Sequence, residues 1–234
     1  MSAVKSICRA MERIAPLRLA EKWDNVRFYL DEAPGPRPNA NRVLLTIDLT
    51  TAVADEAIAG DTCCIVSYHP TIFKPLSALT LANPLQRSLL RCAASNISVY
   101  VPHTALDTIS AGINFWLALQ VAYAPGHRPG VDTVHSVAIC AGSGGSLLLG
   151  HPAEVYFTGE MSHHEVLAAV ASGHNVVLCG HSNTERGYLP TLARRLREEL
   201  KAEAETESDP AHASFLRALQ VDISTKDKDP LQIV

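Results

Sequence analysis

Apolar residues in this chain come in short, unbroken runs. Residues 42–49 (RVLLTIDL), 63–67 (CCIVS), 97–101 (ISVYV), 134–140, 154–157 (EVYF), 175–179 (NVVLC) and 219–223 are each too short for a helix, and most are rich in β-branched or aromatic residues. Runs of this kind predict strands buried on both faces. Between them lie segments with helical spacing at 1–14, 51–59, 84–95, 113–122, 162–172 and 184–204. Strands alternating with helices imply βαβ units. The expected fold is therefore α/β, with mostly parallel or mixed sheets and helices on the faces.

Two segments interrupt the alternation. Residues 31–41 contain Pro34, Gly35, Pro36 and Pro38, and residues 124–132 contain Pro125, Gly126, Pro129 and Gly130. The second is the better boundary. It gives an N-terminal α/β half at 1–124 and a C-terminal α/β half at 133–234, expected to pack as one unit.

Composition narrows the class. Hydrophobic residues make up 47% of the 234 and charged residues 19%, a globular balance. The net charge of −4 comes with no cluster of Lys and Arg, so there is no nucleic-acid footprint. No apolar run is long enough to span a bilayer, and the N-terminus lacks a signal-peptide core. Lys5, Arg9, Arg13 and Arg18 resemble a mitochondrial transit segment, but Glu12 and Glu21 interrupt it, and Ile7, Met11 and Ile14 fit a plain amphipathic helix. The six cysteines include no C-x-x-C pair and sit mostly in apolar runs, which points to a reducing, cytoplasmic setting without disulfides or a thiolate zinc site. Mitochondrial and nuclear locations remain compatible with the sequence.

The chemistry gathers where strands end. His69 follows CCIVS and Tyr68. His103 and Asp107 follow ISVYV. Glu160, His163 and His164 follow EVYF, and His181 and Glu185 follow VVLC. In an open parallel sheet the carboxyl ends of the strands share one edge, where ligands bind. The pairs His103/Asp107 and His181/Glu185 are each four apart, so each shares a helix face and can clasp one ion. Imidazole and carboxylate without thiolate suit Zn, Mn, Fe, Co or Ni. Each residue also has a plainer reading. A histidine at a strand end is commonly a hydrogen-bonded loop residue, Glu160 and Glu185 suit helix N-termini, and Ser162 with Glu165 makes a capping box that leaves His163 on the surface. The run from Gly142 to Gly145 reads as a tight turn or as a phosphate nest; it has neither G-x-G-x-x-G nor a Walker lysine.

Six blocks then resemble, in order, the Nif-three-like family: AEKWDNV (20–26), SYHPTIF (67–73), PHTALD (102–107), AGSGGS (141–146), FTGEMSHHE (157–165) and GHSNTER (180–186). Bacterial members of that family have been labelled GTP cyclohydrolase type 2. The resemblance implies two pseudo-related halves around a metal cleft, a dinuclear centre of two divalent metal ions, and often a toroidal hexamer. It makes His69, His103, Asp107, His181 and Glu185 the ligands, with Glu185 a bridge, and sets Glu160, His163 and His164 along the cleft as candidate catalytic groups. Tyr68 stands where bacterial members often carry a second histidine, as in the eukaryotic branch, so one coordination position passes to water. Arg27 replaces a small residue, and the short 124–132 link leaves no room for the domain some relatives insert.

Three functions are compatible with these residues. One is a metal-dependent hydrolase acting on a nucleotide or other phosphorylated small molecule, with His163 or His164 moving protons. Another is a regulatory protein that partners transcription regulators, its metal structural or vestigial. The third is metal binding or trafficking without catalysis. A closed structural zinc site would be rich in cysteine, and this one is not.

Overall fold

In the computed structural model, residues 3–24, 26, 28–30, 37, 39–122 and 134–231 are described. The boundary expected at 124–132, most of the 31–41 segment and Arg27 lie outside the described residues. The chain divides into two units, Met1–Ile109 with Leu189–Pro230, and Ser110–Tyr188 with Leu231–Val234.

The first unit is built on a five-stranded sheet. Its strands are β1 (Phe28–Leu30), β2 (Arg42–Thr46), β3 (Thr62–Ser67), β4 (Ser98–Tyr100) and β8 (Gln220–Ile223), in the order β1-β4-β3-β2-β8. β2 is parallel to both β3 and β8, and β3 to β4; β1 adds an antiparallel edge. Every residue of β3 is buried, as its unbroken apolar run requires. On one face lie α2 (Thr51–Ala59), capped by the Thr50 side chain, and α3 (Pro84–Ala94), capped by Asn83 with Pro84 in the first turn. Val53, Ala57, Leu89 and Cys92 from these helices pack with Leu44, Ile65, Ile97 and Val99.

α1 (Ala3–Ile14) buries Val4, Ile7, Met11 and Ile14, one stripe at helical spacing. It packs against α9 (Leu189–Thr206), which buries Leu189, Leu192, Leu196 and Leu200, and α10 (Pro210–Ala218) follows. The short α4 (Thr104–Thr108) starts just after β4.

The second unit holds three parallel strands, β5 (Val137–Ser143), β6 (Val155–Glu160) and β7 (Asn175–Leu178), in that order. Its helices are α5 (Ile113–Ala122), α6 (Gly145–Leu148), α7 (His163–Ala171) and α8 (Asn183–Arg186). Cys140, Leu148, Tyr156, Met161 and Ala169 form its buried core.

α9 packs on α1 and β8 pairs with β2, so the C-terminal segment belongs to the first unit. One expectation changes. The single helix expected over 184–204 is two, α8 and α9, with Gly187 and Tyr188 between them. Trp116 lies against Gly187 so closely that an added Cβ would sit 2.2 Å from its ring, and the Tyr188 hydroxyl donates to the Ala111 carbonyl at 2.9 Å. The capping box at Ser162 and Glu165 is present. All six cysteines are free thiols, four of them buried; burial pushes Cys63 and Cys92 up to about 11, which suppresses thiolate chemistry. Among the described residues no helix is long and apolar enough to cross a membrane.

Candidate metal centre

The carboxyl ends of β2, β3 and β4 lead directly into a cluster on the first unit. Asp48 follows β2, Tyr68 and His69 follow β3, and His103 follows β4. Backbone bonds from Tyr68 to Thr46 (2.9 Å) and from His69 to Ile47 (2.9 Å) extend the β2–β3 pairing up to these residues. His69 Nδ1 lies 2.9 Å from Asp48 Oδ1, and His103 Nδ1 lies 2.7 Å from Asp24 Oδ1. The two imidazoles are 5.6 Å apart between centroids. A histidine whose Nδ1 is tied to a carboxylate turns Nε2 into the ligating nitrogen and gains basicity, the usual support of a metal-bound imidazole.

Asp24 is the most heavily held of these carboxylates. Its side chain has no exposed surface. It accepts from the Thr104 backbone N–H at 3.1 Å and from the Thr104 hydroxyl as well. Burial opposes its charge, but the hydrogen bonds from His103 and Thr104 outweigh that and hold its pKa below the ordinary carboxylate value. The same contacts fix His103 with φ +33° and ψ −123°, a conformation that non-glycine residues rarely adopt and that functional sites tolerate when their surroundings enforce it. Asp107, one turn on in α4, accepts from the Tyr68 hydroxyl at 2.6 Å. Tyr68 thus acts on the cluster as a donor to Asp107.

The second unit carries its own cluster. His181 Nε2 is 3.3 Å from Glu185 Oε1, the pairing that four-residue spacing predicts, and His181 Nδ1 is 3.0 Å from Glu160 Oε1. Glu185 is 1% exposed. A neutral imidazole donates only one proton, so two carboxylates about one ring call for more positive charge, as imidazolium or as a metal ion. The backbone beneath is closely fitted. Thr184 Oγ1 donates to the His181 carbonyl at 2.7 Å and accepts from the Gly142 N–H at 2.9 Å. Gly142 has φ +65°, and a Cβ there would lie 2.6 Å from Glu185 Oε1 and 3.1 Å from His181 Nε2. The start of the glycine run is thereby explained as a close approach of strand to side chains. His163 and His164 stand exposed on the first turn of α7, in edge contact with each other at 5.6 Å.

His69 on the first unit and His181 with Glu185 on the second stand as candidate metal donors. The donor set is imidazole and carboxylate with no thiolate, which fits borderline divalent ions. Sequence reasoning missed Asp24 and Asp48. Asp48 sits at a strand end and was legible by the same rule as the histidines; Asp24 carries no signal beyond its place in AEKWDNV.

The family model for Duf34/NIF3 (NGG1p interacting factor 3) matches residues 2–129 and 119–211. The chain belongs to this family. NIF3 relatives include the NIF3 homolog of Schizosaccharomyces pombe, 43% identical over 77% of this chain and 84% of its own length, and NIF3-like protein 1 of Drosophila melanogaster, 37% identical over 88% and 87%. The NGG1-interacting factor 3 of Saccharomyces cerevisiae is 31% identical over 82% of this chain and 90% of its own. The NIF3 fold recurs in the crystal structure of a Bacillus cereus protein related to NIF3, with TM-score 0.78, 17% identity and 98% of both chains covered.

Proposed function

We propose that this NIF3-family chain binds two divalent transition-metal ions through His69, His103, Asp107, His181 and Glu185, and that it is a metal-dependent hydrolase of a nucleotide or another phosphorylated small molecule. One observation carries the metal reading. His69 and His103 each have Nδ1 anchored on a carboxylate, Asp48 for His69 and Asp24 for His103. A metal-bound imidazole is usually oriented in this way, through a carboxylate on its other ring nitrogen.

Bound metal would supply an activated water and a Lewis acid for a phosphoryl or carbonyl oxygen. The chain's own part is to hold the imidazoles in one tautomer through Asp24, Asp48 and Glu160. His163 and His164 are the exposed imidazoles assigned to proton movement. Elemental analysis of purified, remetallated protein should find up to two ions per chain. A content below about one tenth of an ion per chain would overturn the reading, since a preorganised donor set retains metal. Screening the loaded protein against nucleotides, with His181→Ala/Glu185→Ala as control, tests the hydrolase.

A second reading has its own support. The Saccharomyces cerevisiae relative is named for an interaction with NGG1. On that reading this chain partners a transcription regulator, with the metal centre structural. Self-association as a closed hexamer and a cytoplasmic location belong to the same proposal; light scattering and fractionation test them.

A further inference from the structure

Two aromatic rings stand beside the first unit's imidazoles with most of their surface in solvent. Trp23 precedes Asp24, the carboxylate that holds His103. Phe73 lies four residues after His69 in the irregular segment between β3 and α3. Their centroids are 6.0 Å apart at 52°. Each also meets His103 edge-on at 79°, Trp23 at 6.2 Å and Phe73 at 6.3 Å. His103 in turn touches His69 and Tyr68. Trp23 is 62% exposed and Phe73 55%. Rings placed only to shield His103 would be buried by their own surroundings. These keep their outer faces open.

We propose that Trp23 and Phe73 form a stacking platform for the heterocyclic base of a nucleotide ligand. The inference rests on the metal-binding reading for its chemistry and narrows its substrate class from phosphorylated compounds in general to those carrying a planar ring. A base has a π face for the indole and phenyl rings. Its phosphate or sugar oxygens suit the imidazole and metal chemistry alongside. An apolar peptide side chain matches only the first of these features.

Tryptophan fluorescence tests the proposal directly, because the chain has only two tryptophans, Trp23 and Trp116. The full chain is titrated with the 5′-monophosphates of adenosine, guanosine, cytidine and uridine, and with ribose 5-phosphate as the ringless control. At least one nucleotide should quench the emission and bind more tightly than ribose 5-phosphate. Trp23→Ala should remove the quenching and weaken binding about tenfold, and Phe73→Leu, which keeps an apolar side chain without the π face, should weaken it severalfold. Both side chains are mostly in solvent, so the variants should fold, and both should keep the wild-type metal content. Metal content thus reports on the centre, and nucleotide affinity on the platform, independently. Four outcomes overturn the proposal: no nucleotide binds, ribose 5-phosphate binds equally well, Trp23→Ala keeps full affinity, or Trp23→Ala changes the molecular mass by light scattering and so marks a self-association surface.

Discussion

His103 Nδ1 lies 2.7 Å from Oδ1 of Asp24, a carboxylate with no exposed side-chain surface. The pair fixes which ring nitrogen of His103 faces outward and does so from a residue 79 positions away. Asp24→Asn keeps the size of the side chain and removes its charge. We expect metal affinity to fall about 10- to 100-fold, and stability by about 2 kcal/mol as charge-assisted bonds from His103 and Thr104 weaken. Competition against a chelator and urea unfolding measure the two. Unchanged metal affinity with lowered stability would reduce Asp24 to a purely structural tie.

Much of this arrangement is legible in the sequence. Residues 51–59 and 113–122 are the helices that their spacing predicts, and the capping box at Ser162 is formed. His181 and Glu185 meet because four-residue spacing is a local property of a helical turn. Less visible was the return of α9 and β8 to the first unit, which depends on a long-range pairing of β2 with β8 that no local pattern encodes. The break at Gly187 was missed because its cause, Trp116, lies 71 residues earlier in the chain. Asp24 was missed for the same reason: its role is defined by a contact and not by a spacing.

α1 is clasped to α9 by Glu203, which pairs with Arg9 and, at 2.9 Å, with Arg13. Burial opposes the Glu203 charge, but the bonds from Arg9, Ser6 and Arg13 prevail and hold its pKa below the ordinary value. A depressed folded pKa means that the stabilisation is complete above the unfolded glutamate value of about 4.3 and is lost as pH falls through the folded value. Glu203→Gln should therefore lower stability by roughly 1–2 kcal/mol at pH 7, given that the arginines are partly exposed. The gap between variant and wild type should close as pH falls below the unfolded glutamate value and through the folded one. Chemical denaturation at several pH values checks this, and a gap that persists unchanged into acid would show that the charge of Glu203 is not its source.

Gly142 and Gly150 provide a controlled comparison. Both have positive φ, +65° and +87°, so alanine at either strains the backbone by about 1–2 kcal/mol. At Gly150 nothing lies within 4 Å of the added Cβ, whereas at Gly142 it meets Glu185 Oε1 at 2.6 Å. Gly150→Ala should lose only that strain and keep its metal. Gly142→Ala should lose more stability and, by displacing Glu185 and His181, most of its metal. Equal metal content in the two variants would show that the Glu185 carboxylate is not a ligand.

Glu185 itself separates a metal centre from a helix cap. The residue is 1% exposed, and its carboxylate lies 3.3 Å from His181 Nε2. Burying a carboxylate is unfavourable unless positive charge compensates it. If metal is that charge, Glu185→Gln removes the anion, leaves the cations poorly balanced, and should release at least one ion per chain together with any hydrolytic activity. The metal-free protein should meanwhile keep its melting temperature or gain slightly, because a neutral amide is easier to bury than a carboxylate. If Glu185 instead serves only the N-terminal turn of α8, its charge contributes about 0.3–1 kcal/mol. Glu185→Gln would then melt slightly earlier with its metal content intact. Metal stoichiometry and melting temperature, measured on loaded and metal-free samples of the same preparation, distinguish the two. Intact metal with a small loss of stability would remove Glu185 from the ligand set, and with it the strongest candidate for a residue shared by two ions.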